Sequence, residues 1–343
     1  MITNFSMRLF YKKIFILIAM PLFIGLSVII YWDPFKVFLN HEDYYTYNYI
    51  TGNREDICLK LFEKLKDHRK MNSFIIGNSR SQAFKVHDWK NILAMEGKTD
   101  IRGFHFDGSA LGLFNARNIL RFLDENTDSI KNILMVFDEA MFDEISNPTG
   151  PLYMEPPQIS GESFFNFYLP FVRSSLDPMF ILSNIDFRLT KKHKPYMGKY
   201  LMHPKYFMVS DNFSGDLYYG HDREIKDDSV GYYMARKEVF YERKPDIKES
   251  MKKIRTVQLE MLTQIKQICD KNKTNIKIVI APIYDQVPIN AADKRILVNM
   301  FGNNNVFDYS GKNHFTESIS NYYEDSHFRP VVARQIMKEI YLN

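Results

Sequence analysis

Among 343 residues there are only two cysteines, Cys58 and Cys269. Their spacing matches no metal or redox motif, and two cysteines do not make a disulfide framework. Charge of one sign is also lacking: 45 Lys and Arg against 41 Asp and Glu leave a net +4. A nucleic-acid binder held by phosphate contacts needs a basic face, and this balance argues against one. The nine histidines are scattered. With no H-x-H or H-x-x-x-H pair, a zinc cluster has no support, and neither a metal nor an organic cofactor is called for. Repeats and low-complexity tracts are absent as well. What the chain does have is apolar mass, 45% hydrophobic and 15% aromatic, which is ample for a core and excludes global disorder.

One hydrophobic run stands apart. Ile14 to Trp32 reads IFILIAMPLFIGLSVIIYW, without a charge. About 19 residues at helical rise cross a hydrocarbon layer of ~30 Å. Arg8, Lys12 and Lys13 precede it, and Tyr31 and Trp32 close it with interfacial rings. The positive-inside rule then places the N-terminus in the cytoplasm and everything after Asp33 outside. A cleaved signal peptide is the rival reading, although the run is long for one and no clear A-x-A-like site follows. A buried core helix is the third. Pro21 and Gly25 are tolerated in membrane helices. With residues 1–33 set aside, roughly 300 residues remain, enough for one large domain, 34–343.

Within that domain, short apolar runs alternate with helical periods. Ile57, Leu61 and Leu65 give a helical spacing over Glu55 to His68. Ser73 to Ile76 is a buried strand stopped by Gly77. Ile101 to Phe106 is a second strand, ending at Asp107-Gly108, and Ala110 to Leu123 a helix. Ile133 to Phe137 is a third strand, closed by Asp138-Glu139. Pro148 to about Ser250 lacks a clean period and is rich in Pro, Tyr, Phe and His, so it reads as a lid-like insertion. Met251, Ile254, Val257, Met261, Ile265 and Ile268 then form one helical stripe. Ile276 to Ile280 is a fourth strand, Asp293 to Met300 a helix, Val306-Phe307 a fifth strand, and Pro330 to Tyr341 a closing helix with Pro in its first turn. Alternating strands and helices imply an α/β fold, a parallel sheet covered by helices on both faces.

Parallel sheets bind ligands outside the carboxyl ends of their strands. The residues placed there are Gly77-Asn78-Ser79-Arg80-Ser81, Asp107-Gly108-Ser109, Asp138-Glu139, Pro282 and Tyr284, and Glu324-Asp325-Ser326-His327 ahead of the last helix. A Ser on a sharp strand-to-helix turn exposes its hydroxyl, and its N–H can hold an oxyanion. The bland alternative for Gly77-Asn78-Ser79 is a turn followed by a helix cap. His327 has carboxylates two and three positions upstream, and a Ser nucleophile needs a base that an acid orients; otherwise it is a polar loop residue.

In this order, Gly77-Asn78-Ser79-Arg80 early and Glu-Asp-Ser-His-Phe late, the chain resembles the SGNH (GDSL-like) hydrolase superfamily from Ser73 to Tyr341. With its N-terminal anchor it is similar to the extracytoplasmic acyl-transfer branch, typified by the D-alanyl transfer protein DltD and the alginate O-acetylation proteins. The resemblance implies a three-layer α/β/α fold of flavodoxin-like type, with Ser79 as nucleophile, His327 as base, and the Ser79 and Gly108 N–H groups as oxyanion donors. The superfamily's D-x-x-H places its acid at Glu324, whereas the Asp of this chain is Asp325, so the orienting acid is open between them. The superfamily's G-x-N-D motif is not visible after Phe137. Asn78, Arg80, Arg329 and Tyr284 are candidate substrate contacts; for Arg80 and Arg329 the alternative is pairing with Asp138, Glu139 or Glu324. The insertion's Tyr153, Phe164, Phe165, Tyr168, Tyr206, Tyr218 and Tyr219 either stack on sugar rings or pack as core. The implied function is Ser-His-Asp/Glu acyl transfer or ester hydrolysis on cell-envelope glycan or an acyl-carrier substrate, with a multi-span membrane acyltransferase as partner. The alternative is a catalytically degenerate envelope protein that binds glycan or scaffolds such an enzyme.

Overall fold

A computed structural model describes residues 2–45, 50–203, 208–243 and 245–342, without the side chains of residues 2–6, 8 and 9. The Arg8 side chain and Tyr206 therefore lie outside the described residues. Five strands form the central sheet: β1 (Ser73–Gly77), β2 (Gly103–Asp107), β3 (Asn132–Phe137), β6 (Asn275–Ile280) and β7 (Val306–Asp308). All pair in parallel, in the order β2-β1-β3-β6-β7. Two small antiparallel hairpins stand outside it, β4 (Met208–Ser210) with β5 (Leu217–Tyr219), and β8 (Tyr322–Glu324) with β9 (His327–Phe328).

The helices are α1 (Ile2–Trp32), α2 (Arg54–Arg69), α3 (Val86–Met95), α4 (Leu113–Asn126), α5 (Pro157–Ser160), α6 (Phe164–Ser175), α7 (Pro178–Thr190), α8 (His221–Asp227), α9 (Ser229–Met234), α10 (Thr256–Asn272), α11 (Ala291–Phe301), α12 (His314–Glu317) and α13 (Pro330–Leu342). Alternate side chains of the strands part into two clusters, as a pleated sheet with both faces buried requires. Phe74, Ile76, Ile133 and Met135 pack with α2, α4, α10 and α11, while Ile75, Leu134 and Val136 pack with α3 and α13.

All five expected strands are present with shifted ends. The helix expected over 251–268 is present as α10 with Met261, Ile265 and Ile268 on the core, but it starts only at Thr256, and Met251 is exposed. The backbone N–H groups of Lys253 and Ile254 are instead tied to the buried Asp293 carboxylate, which keeps this stretch extended ahead of the helix. The α3 helix went unread from sequence, and the insertion, which showed no period, contains α5 to α9 and the β4–β5 hairpin. A third cluster joins the insertion to the end of α1: Phe35 and Val37 pack with Phe167, Phe171, Phe180 and Phe187. Helix α1 contains a 23-residue stretch, Phe10–Trp32, long and apolar enough to span a membrane. Almost none of it is buried against the rest of the chain, which removes the core-helix reading.

Candidate active site

The sheet order places β1 between β2 and β3, so the chain leaves β1 for one neighbour and returns past it to the other. That reversal opens a crevice at the carboxyl ends of β1 and β3. The turn after β1 fills it. A Cβ on Gly77 would stand 2.8 Å from both the Val136 carbonyl and Ser81 Cβ. Glycine is needed there for close approach rather than for an unusual φ. Asn78 caps the following 3-10 turn, Ser79–Ala83, by accepting the Arg80 N–H at 3.0 Å. Ser79 thus begins the turn, partly exposed.

The β8–β9 hairpin brings the second motif to the same place. His327 Nε2 lies 2.9 Å from Ser79 Oγ. On its other side, Nδ1 is hydrogen-bonded to Glu324 Oε1. With the Nδ1 proton donated to Glu324, Nε2 is left to accept the Ser79 proton. Burial disfavours the Glu324 carboxylate, but the hydrogen bond and charge of His327 and the Ser326 N–H outweigh it, holding Glu324 at about 2. Asp325 does not face the imidazole. It accepts from the Ser326 hydroxyl at 3.2 Å, and burial and the neighbouring Glu324 raise its pKa. Of the two acids left open by sequence, the geometry puts Glu324 on the histidine.

The remaining candidates are placed differently from the expectation. The Gly108 N–H donates to the Gly77 carbonyl at 3.3 Å, so it is not turned into the crevice. Gly108 is pressed against Glu55, whose Oε1 would stand 2.6 Å from an added Cβ. Ser109, the next residue, lines the cavity, and among the described residues neither its N–H nor that of Ser79 has an acceptor. Asn78 Nδ2 and Arg80 Nη1 both donate to the buried Asp138 carboxylate, the latter at 2.6 Å. Arg80 Nε also reaches the Ser326 carbonyl at 3.2 Å. Both side chains are therefore committed to bracing the Ser79 turn against β3 and the His327 loop. Arg329 pairs with Asp222 at 3.3 Å, not with the acids expected. Tyr284 is buried in the α13-side core, its hydroxyl on the Tyr241 carbonyl, and does not line the cavity.

The cavity over Ser79 and His327 holds about 290 Å³ and is walled by Tyr44, Tyr45, Tyr153, Leu217 and Tyr219. Ile50, Thr51 and Tyr153 wall it and also line a second hollow, with Phe35, Asp177 and Phe180. Tyr153 and Tyr219 of the insertion's aromatics thus wall the site, whereas Tyr168 packs on Phe38 and Phe164. Phe164, Phe165 and Tyr218 are exposed and do not line it.

Sequence reasoning missed the floor of the site. Arg54 forms a buried ion pair with Asp107 at 2.6 Å, and Gln82 Nε2 donates to the other Asp107 oxygen at 2.5 Å. Burial opposes the Asp107 charge, yet Arg54 holds its pKa below the usual carboxylate value. The sequence signal was Asn53-Arg54-Glu55-Asp56, which resembles an ordinary capped, solvated helix start but is buried throughout. A second Ser–His–Asp chain lies beneath: Ser81 Oγ is 2.9 Å from His105 Nε2, and His105 Nδ1 is 3.1 Å from Asp216. It is sealed from solvent, and the Ser81 hydroxyl donates to the Asn78 carbonyl at 2.7 Å. That chain is a brace for the turn, with no room for a substrate. No protein-family model matches the chain, and no curated protein matches it.

Proposed function

We propose that the protein is an extracytoplasmic acyltransferase or esterase of SGNH type, with a three-layer α/β/α domain. The observation that carries this reading is the line Ser79 Oγ, His327 imidazole, Glu324 carboxylate at a strand-end crevice. Such a line is the working arrangement of a serine nucleophile, whatever the fold that carries it. Ser79 Oγ bonds to the acyl carbon while its proton passes to His327 Nε2. His327 returns that proton to the departing alcohol, leaving an acyl-enzyme. An acceptor hydroxyl, or water, then gives its proton to His327 and takes the acyl group, and Ser79 recovers the proton. Glu324 keeps the imidazole oriented and steadies its transient charge. The Ser79 and Ser109 N–H groups are the oxyanion donors in this scheme, Ser109 taking the part expected of Gly108. Helix α1 anchors the domain as a single pass with a cytoplasmic N-terminus, so the acceptor is a cell-envelope glycan and the acyl donor reaches the site through a multi-span membrane partner.

The test is Ser79→Ala, assayed for acetyl-ester hydrolysis and for acylation of envelope glycan. Both should fall by about 10³-fold or more. Unchanged levels of both would sink the catalytic reading. A second reading, a binding or scaffolding module on a degenerate fold, draws on the engaged Gly108 N–H. A serine-directed fluorophosphonate separates them: modification of Ser79 supports chemistry, and an unmodified Ser79 supports the module.

A further inference from the structure

The insertion carries an apolar surface that the site does not use. On α7, Leu182, Ile185 and Leu189 are 50%, 52% and 80% exposed. At about 100° per residue they fall within one narrow stripe. The opposite face is buried through Phe180, Ser183, Asn184 and Phe187. Phe164 and Phe165, at the start of α6, are exposed too, at 57% and 68%. An isolated apolar side chain on a surface means little, but a row of them on one helix marks a contact.

The position of α7 names the contact. Its Phe180 ring lies 5.8 Å from that of Trp32, the last residue of α1, and the Arg188 guanidinium sits 5.8 Å over the same indole. Phe35, three residues on, stacks on Phe180 at 5.2 Å. If α1 crosses a bilayer, Trp32 lies at its interface, and so does the helix packed on it. Basic residues border the stripe, Arg188 at its side and Lys191 and Lys192 just beyond its end. A helix with an apolar face and flanking Lys and Arg is built to lie in a lipid headgroup region.

We infer that α7 lies on the bilayer surface beside α1, with Leu182, Ile185 and Leu189 dipping below the headgroups, as a second membrane contact that fixes the catalytic domain at the interface. The inference rests on α1 being membrane-spanning. Its occupant is lipid, not a protein partner. It also gives the hollow lined by Phe35, Asp177 and Phe180, which shares the Ile50, Thr51 and Tyr153 wall with the Ser79 cavity, a place beside the lipid surface.

The test uses the full-length protein in phospholipid nanodiscs containing brominated lipid. Cys58 and Cys269 are buried, so a fluorophore can be attached at Leu182→Cys, Ile185→Cys or Leu189→Cys. Leu22→Cys in α1 reports the bilayer interior, and Asp128→Cys, exposed in the loop that enters β3 at the amino ends of the strands, reports water. Quenching by brominated lipid at the α7 positions should exceed that at Asp128→Cys by about threefold or more. Quenching at Leu22→Cys with α7 probes no different from Asp128→Cys overturns the inference alone, and leaves the stripe to a protein partner. No quenching at Leu22→Cys overturns the membrane reading of α1 together with it. The three α7 positions are independent, so one badly tolerated label does not decide the outcome.

Discussion

Glu324 and Asp325 are neighbours in sequence, yet only one of them can orient His327. Glu324 ends β8 and meets Nδ1, whereas Asp325 opens the turn into β9 and reaches the Ser326 hydroxyl and the Glu324 carboxyl instead. Replacing Glu324 by Gln keeps the shape but removes the charge that supports a protonated imidazole. On the proposed acyl-transfer reading, Glu324→Gln should lower kcat/KM for ester turnover by about 10²- to 10⁴-fold. Asp325→Asn should cost less, about tenfold at most, because it touches the Glu324 carboxyl but neither Ser79 nor the imidazole. The reverse ranking in steady-state kinetics would reassign the acid. Ser79 and His327 were legible as candidates because each is marked by its own neighbours: an apolar run stopped by Gly77, and a loop ahead of Pro330. The partners of Asn78, Arg80 and Gly108 were not. Asp138, the Ser326 carbonyl and the Gly77 carbonyl reach them only through tertiary packing, which no local spacing reports.

At the scale of elements, the strands were readable because both sheet faces are buried and the runs are continuously apolar, as in Ile133–Phe137. The insertion was unreadable for a different reason. The apolar residues of its two longer helices, α6 and α7, serve both the cluster around Phe171 and the exposed stripe of α7, which blurs any single period. Its hairpin is held by single polar contacts instead of a periodic face. Between β4 and β5, the Ser214 carbonyl accepts the His105 N–H at 2.7 Å, and Asp216 reaches His105. This covers β2, the sheet's open edge, and connects the insertion through Ser81 to the turn that carries Ser79. Gly215 makes the approach possible. It sits at φ +77°, and a Cβ there would lie 2.5 Å from the His105 carbonyl. Gly215→Ala should therefore destabilise the protein by about 2–3 kcal/mol. Gly198→Ala, where an added Cβ meets nothing within 4 Å, should change stability by less than about 1 kcal/mol. Urea unfolding of the two variants measures the difference, and equal midpoints would mean that the hairpin is not fastened as described.

The molecule as a whole holds an unusual amount of ionisable chemistry inside, and this makes its stability depend on pH. Near the Arg54–Asp107 pair lie two carboxyl groups, Glu55 with no cation acting on it and Glu155 with only the outweighed pull of Arg117 and Arg121. Burial raises Glu55 to about 8, against the pull of its Asn115 hydrogen bond. Burial and the nearby Glu55 push Glu155 well above its ordinary value as well. Asp56 moves the same way, to about 6, because burial outweighs Lys60. For groups raised in the folded state, the proton is held more tightly by the native protein than by the unfolded chain. Their stabilisation is full below the unfolded value of 4.5 for Glu55 and is lost as pH rises through about 8. Glu324 has the opposite sign: lowered to about 2, it stabilises above its unfolded value of 4.5 and fails only as pH falls through about 2. The two effects therefore do not overlap between pH 5 and 8. Lys85, lowered to about 8 by burial, adds stability only as pH climbs from there toward its unfolded value of 10.5. In the window from pH 5 to 8 the falling contribution of Glu55, Glu155 and Asp56 meets only the opposite, rising contribution of His221, whose pKa burial lowers from 6.5, so the melting temperature should decline across it, most clearly above pH 6.5. Glu55→Gln keeps the hydrogen bond to Asn115 and removes one titrating proton, which should flatten the decline by about a few degrees. Calorimetry of both proteins at pH 5, 6.5 and 8 gives the comparison, and parallel curves would mean that Glu55 is not the group that carries the interior proton.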